Sequence, residues 1–116
     1  MDGWTDETKL RHRDMIAAVR EIITDCARAN HTITYGAIRQ RVDGFNFRTE
    51  GPVLGAISAE TYADRGVMIS AVVVDSAFGL PGEGFFELAR SLNYTFDDPA
   101  TFHSDELERV FEAYRP

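Results

Sequence analysis

The chain has 116 residues, 44% of them hydrophobic and 27% charged, with a formal net charge of −7. This is the length and composition of one globular domain, and it excludes a disordered or fibrous chain. No apolar run approaches the roughly 20 residues of a membrane helix, the opening MDGWTD lacks the basic start and apolar core of a signal peptide, and the lone Cys26 excludes an internal disulfide.

A cytoplasmic protein is therefore expected. The charge is uneven along the chain. Residues 28–65 carry five arginines and four acids, whereas residues 66–116 carry three bases and nine acids. A phosphate-binding surface belongs in the middle third.

Thr5, followed by Asp6 and Glu7, reads as a helix cap with acids in the first turn. His12, Met15, Ile16, Val19, Ile22, Ile23, Cys26 and Ala27 step by three and four, the stripe of one long amphipathic helix over residues 6–29, closed by Asn30. Cys26 lies on the stripe, a core thiol with no base beside it. Thr32 or Thr34 caps a short helix over 35–42 that turns Ile38 and Val42 inward, and Gly44 ends it. A third helix begins near Pro52, which suits a first turn, and ends at Asp64-Arg65-Gly66. These two short helices form a helix-turn-helix pair.

Val67–Val74 is the most apolar run and predicts a strand buried on both faces. Gly79-Leu80-Pro81-Gly82 is a turn that needs positive φ and close packing, after which the chain pairs back briefly. A fourth helix starts near Gly84 with Phe85, Leu88, Ala89 and Leu92 on its stripe. Residues 93–100 read as a loop. The final helix starts at Ser104-Asp105-Glu106, with Leu107, Val110, Phe111 and Tyr114 facing in. The expected fold is a small, mainly α, α/β domain of winged-helix type spanning residues 1–116.

Three segments carry a family likeness: Ile33-Thr34-Tyr35-Gly36-Ala37-Ile38, Val53-Leu54-Gly55-Ala56-Ile57, and the run ending Val72-Val73-Val74 before a glycine turn. In this order they resemble the C-terminal DNA-binding domain of the O6-alkylguanine-DNA alkyltransferases and the alkyltransferase-like proteins. That domain is winged-helix-like, with a Thr/Ser-Tyr-Gly helix start, a recognition helix and a Pro-Cys-His-Arg-Val-Val strand. The resemblance spans about residues 30–82. It implies DNA binding, with Tyr35 at the position whose ring lies near a flipped base. It also marks departures. Ile69, Ser70, Ala71 and Val72 stand where the family has Pro, Cys, His and Arg, so the thiolate acceptor and its histidine are both missing and alkyl transfer is excluded. The family's intercalating arginine falls near Gly51, with Arg48 three residues away. The Gly-x-Pro-Gly-x-Gly-Phe segment resembles small bacterial or phage proteins and implies no activity.

Two binding surfaces compete. In the first, Tyr35, Arg39, Arg41 and Arg48 contact DNA, with the arginines on phosphates. The third helix offers Ser58 and Thr61 but no Arg, Asn or Gln for base edges. In the second, Phe78 and Leu80 anchor a protein partner from the turn. Catalysis is not expected. Asp75, Ser76, Glu83 and His103 are the only imaginable hydrolytic set, and the sole lysine, Lys9, lies far off in the first helix. His12, His31 and His103 lack metal-ligand spacing, and the glycine turn lacks the Gly-Lys-Ser/Thr ending of a phosphate loop and carries Glu83. No cofactor or metal is expected.

Overall fold

The computed structural model describes residues 4–116; the first three residues of the opening stretch discussed above lie outside the described residues. Six helices surround a minimal sheet: α1 (Asp6–Arg11), α2 (Arg13–Arg28), β1 (Ile33–Thr34), α3 (Tyr35–Arg41), α4 (Glu50–Arg65), β2 (Val73–Val74), α5 (Glu83–Ser91) and α6 (Pro99–Ala113). The mainly helical α/β class is as expected.

Local signals set most boundaries. The Thr5 side chain accepts from Thr8 N–H at the start of α1, and the Thr34 side chain accepts from Ala37 N–H at the start of α3. The expected long first helix is two helices. His12 leaves helical geometry at φ −107° and ψ 16°. Its Nδ1 donates to the Thr8 carbonyl at 2.9 Å, and its ring stacks on Trp4 with centroids 4.3 Å apart. α2 then buries Ile16, Val19, Ile22, Ile23, Cys26 and Ala27, the stripe read from the sequence. It ends at Ala29. Asn30, at φ 59°, is the next residue, and His31 N–H closes the turn onto the Cys26 carbonyl, the geometry of a Schellman stop. Gly66, at φ 73°, ends α4.

The central run is buried throughout, as expected, but only its last two residues form a strand. Ile69–Val72 form one 3-10 turn, and only Val73 and Val74 pair, parallel to Ile33 and Thr34. The pairing back after the glycine turn is absent from the described residues, whose one sheet has two parallel strands. The physical reason lies in the neighbours. The run packs against α2, α4 and α6, so no strand edge is available along most of its length, and a buried backbone must find other partners. Side chains supply them. Glu106 accepts from Met68 N–H at 2.8 Å, Thr61 accepts from Ile69 N–H at 3.1 Å, and Ser58 accepts from Ser70 N–H at 2.9 Å. The Thr61 hydroxyl also donates to the Val67 carbonyl. Ser58 and Thr61, weighed above as base readers, are core-facing struts.

The start of α6 also differs from expectation. It begins at Pro99, capped by Asp98, whose side chain accepts from Thr101 N–H. Pro suits the first helical position. Glu106 therefore sits in mid-helix, 1% exposed, not in a first turn. Phe85, Phe86 and Phe102 are buried, with Tyr94 and Phe96 packed against the same aromatic cluster.

Candidate nucleic-acid interface

Because β1 and β2 are parallel, the chain leaves both at the same end. One exit runs directly into α3 at Tyr35, the other into the loop 75–82. A single bond ties them: the Tyr35 hydroxyl accepts from Gly82 N–H at 2.7 Å. A Cβ on Gly82 would stand 3.4 Å from that hydroxyl, an ordinary contact. Burial pushes the Tyr35 phenol above its ordinary pKa, and the charges of Glu50 and Asp75 add to the shift. The loop itself is closed by its own bonds. Asp75 N–H donates to the Leu80 carbonyl, Gly79 N–H to the Asp75 carbonyl, and Phe78 N–H to the Asp75 side chain. Gly79 takes φ 68°, the one position in the turn that requires glycine's freedom. Gly84 lies inside α5.

A cavity of about 310 Å³ opens between these exits and the start of α4. Its walls are Tyr35, Phe47, Glu50, Gly51, Leu54, Gly55 and Ser70 on one side and Gly82, Glu83, Gly84, Phe85 and Leu88 of the turn and α5 on the other. A Cβ on Gly51 or Gly55 would meet nothing within 4 Å, so these two glycines leave the α4 wall open. The lining includes two aromatic residues, Tyr35 and Phe47, and two acids, Glu50 and Glu83. Aromatic faces with a few hydrogen-bonding groups suit a flat heterocycle.

The four residues expected to contact DNA do not form one patch. Arg39 reaches across to α4 and pairs with Glu50, Nε to Oε2 at 2.5 Å, and the Glu50 side chain is only 14% exposed. That hydrogen bond raises the Arg39 pKa further. A phosphate at Arg39 must compete with this carboxylate. Arg41 stands two residues on, toward the other side of α3, where its charge is felt by Cys26 of α2. Arg48 is exposed, with its guanidinium 5.8 Å from the ring centroid of Phe47, a cavity-lining residue. Neither Arg41 nor Arg48 makes an ion pair among the described residues. Of the four, only Tyr35 lines the cavity; Arg39 and Arg48 each contact a lining residue, Glu50 and Phe47, and Arg41 stands aside. Of the competing pair, Phe78 is 84% exposed at the tip of the closed loop, while Leu80 is half-buried and its carbonyl closes that loop.

Nothing at the cavity activates a nucleophile. Ser70 stands where the resembled family has its acceptor thiol. Its Oγ accepts from the Ser58 hydroxyl at 2.6 Å, and no histidine bonds it. His103 is buried and donates from Nε2 to the Ala71 carbonyl at 2.8 Å, which commits that nitrogen. Cys26 is buried on α2, and burial pushes its thiol pKa up. Asp75 is occupied in the loop, and Ser76 is exposed there. Among the described residues no cluster of His, Cys, Asp or Glu is arranged to hold a metal ion, and no helix is long and apolar enough to cross a membrane.

Phe47 is the residue that sequence reasoning passed over. It is 80% exposed and lines the cavity. The signal was present: an aromatic between Asn46 and Arg48, in a connector with no apolar partner at helical spacing. No protein-family model, curated protein or solved structure matches the chain. The likeness to the alkyltransferase domain rests on its three short motifs alone.

Proposed function

We propose that the chain binds DNA without chemistry and holds one unstacked base in the cavity beside Tyr35. The observation that carries this reading is the cavity itself, which is lined by Tyr35, Phe47, Glu50 and Glu83, with Arg48 beside the Phe47 ring. A nucleobase offers two π-faces to such walls, and its amino and imino hydrogens suit the carboxylates of Glu50 and Glu83. Arg48 takes a flanking phosphate. Arg39 joins it only by exchanging Glu50 for phosphate, and Arg41 adds charge from the far side of α3. With Ser70 hydrogen-bonded to Ser58 and no activated thiol, the site retains its ligand unchanged. The motif likeness to alkyltransferase domains supports the same reading.

The test is fluorescence anisotropy with a labelled duplex of about 20 bp, with and without one O6-alkylguanine, across a salt series. Binding is expected to weaken steeply with salt, to fall in Arg48→Glu, and to be tighter for the modified duplex. Gly55→Leu, which places a side chain in the open wall, is expected to remove the preference for the modified duplex while leaving the salt-dependent part. No binding to either duplex at low salt defeats the proposal.

A second reading has one observation in its favour. Phe78 is the most exposed large hydrophobic side chain among the described residues, and a hydrogen-bonded loop presents it. If DNA is not bound, Phe78 is the anchor for a protein partner, and Phe78→Asp abolishes that association while Arg48→Glu leaves it unchanged.

A further inference from the structure

We infer that Phe47 is a wedge that enters the base stack when DNA is bound, and that it holds open the gap left by the base in the cavity. The inference rests on the DNA-binding reading and names the residue that makes it work. Phe47 takes no part in the core, yet its backbone is held firmly. Arg48 N–H donates to the Asn46 side chain at 2.9 Å, Asn46 N–H donates to the Thr49 hydroxyl at 2.9 Å, and that hydroxyl donates to the Gly44 carbonyl at 2.7 Å. Thr49 and Glu50 N–H groups both donate to the Asn46 carbonyl. An exposed ring on a braced turn loses little freedom when it is buried by a partner.

Position decides what the partner is. Phe47 is itself a wall of the cavity, so a ring inserted between two bases stands next to the space that receives the displaced one. Arg48 follows it directly and carries its charge over the same ring, which places a cation beside the phosphates of the opened step. Apolar side chains inserted between base steps unstack them and need such phosphate anchors to offset the cost. Phe78, equally exposed, does not line the cavity and has no adjacent arginine. A protein partner seated on Phe47 would have to accept Arg48 together with the carboxylates of Glu50 and Glu83, whereas DNA uses the arginine on phosphate and the carboxylates on base amino groups.

The experiment uses the full chain and a duplex of about 20 bp with 2-aminopurine beside a single mismatch, because a mismatched base costs least to extrude. Wild type is expected to raise 2-aminopurine fluorescence severalfold on binding. Phe47→Ala is expected to bind with the same salt slope and to lose the rise. Phe47→Trp is expected to restore the rise and to be quenched by stacking, with Trp4 as the only other tryptophan. Phe78→Ala is expected to behave as wild type. If Phe47→Ala binds and gives the full rise, or if Phe78→Ala loses it instead, the wedge is wrong and DNA binding stands. If wild type does not bind the duplex at low salt, both fall together.

Discussion

Glu106 and Phe47 occupy places opposite to those their chemistry favours. Glu106 is a carboxylate at 1% exposure in the centre of the molecule, and Phe47 is an aromatic ring at 80% exposure on its rim. The cause in the centre is structural. Val67–Val74 is enclosed by helices, and its amides are paired by Glu106, Ser58 and Thr61 where a sheet would have used neighbouring strands. Glu106 is further held by Arg109 at 2.9 Å and faces the Tyr94 hydroxyl. No such need explains the rim. Phe47 pairs with nothing in the core and contributes no packing that the fold requires. Displaced polar groups thus mark how the core is built, and displaced apolar groups mark where a partner is expected.

The largest test of this contrast is Glu106→Ala. Removing the carboxylate leaves Met68 N–H buried without its acceptor and strips Arg109 of its partner. A loss of about 3 kcal/mol is expected in urea unfolding, the low end for breaking a buried charge pair because Arg109 is half-exposed. Glu106→Gln keeps an acceptor for Met68 N–H and is expected to cost less. If Glu106→Ala unfolds at the wild-type midpoint, the centre is not held in this way.

Ser58→Ala comes next. It orphans Ser70 N–H and removes the donor to the Ser70 hydroxyl, both buried, at an expected cost of about 2 kcal/mol. The same denaturation series reads it, and a cost no greater than that of a surface serine would show that water replaces the hydroxyl.

These two residues also show what the sequence could and could not reveal. The stripe of α2, the cap at Thr5, a threonine cap at position 32 or 34, the glycine end at Gly66 and the turn at Gly79 are legible because each depends on residues within a few positions of one another. The central run was misread as a strand because its composition reports burial, not hydrogen-bond partners. Those partners come from residues as distant as Glu106, 38 positions from Met68. Ser104-Asp105-Glu106 carries a start signal of its own, but the earlier Asp98-Pro99 signal is the one the helix uses, which puts Glu106 in mid-helix. At the cavity, the helix start at Tyr35 is legible, its role there is only what the resemblance implies, and the Arg39–Glu50 pair is not legible, since its partners lie 11 residues apart on two helices.

Tyr35 joins the centre to the rim, and Tyr35→Phe removes its bond to Gly82. The expected cost is about 1 kcal/mol, since Gly82 N–H is exposed enough to find water. The pH dependence has a definite sign. Burial raises the folded pKa of Tyr35, and those of Tyr94 and Tyr114, above the ordinary phenol value. Each therefore contributes stability that is fully present below about pH 10 and is lost as pH rises through the folded value. Alkaline melting curves of Tyr35→Phe are expected to fall less steeply than those of wild type. An unchanged slope would show that the Tyr35 phenol is not held by the fold.

The smallest expected effect on stability is at the rim. Phe47→Ala and Phe78→Ala are each expected to shift unfolding by less than about 0.5 kcal/mol, the range of surface substitutions that remove no cap, core or network. The null result carries information because a phenylalanine buried in the core costs several times more when truncated. Should Phe47→Ala prove costly, its ring closes over the cavity in solution and braces the fold, and the rim then follows the rule of the centre. Should it prove neutral while the fluorescence change on DNA disappears, the ring is kept exposed for the partner. The two phenylalanines then separate from each other: both are neutral to the fold, and only Phe47 is needed at the cavity.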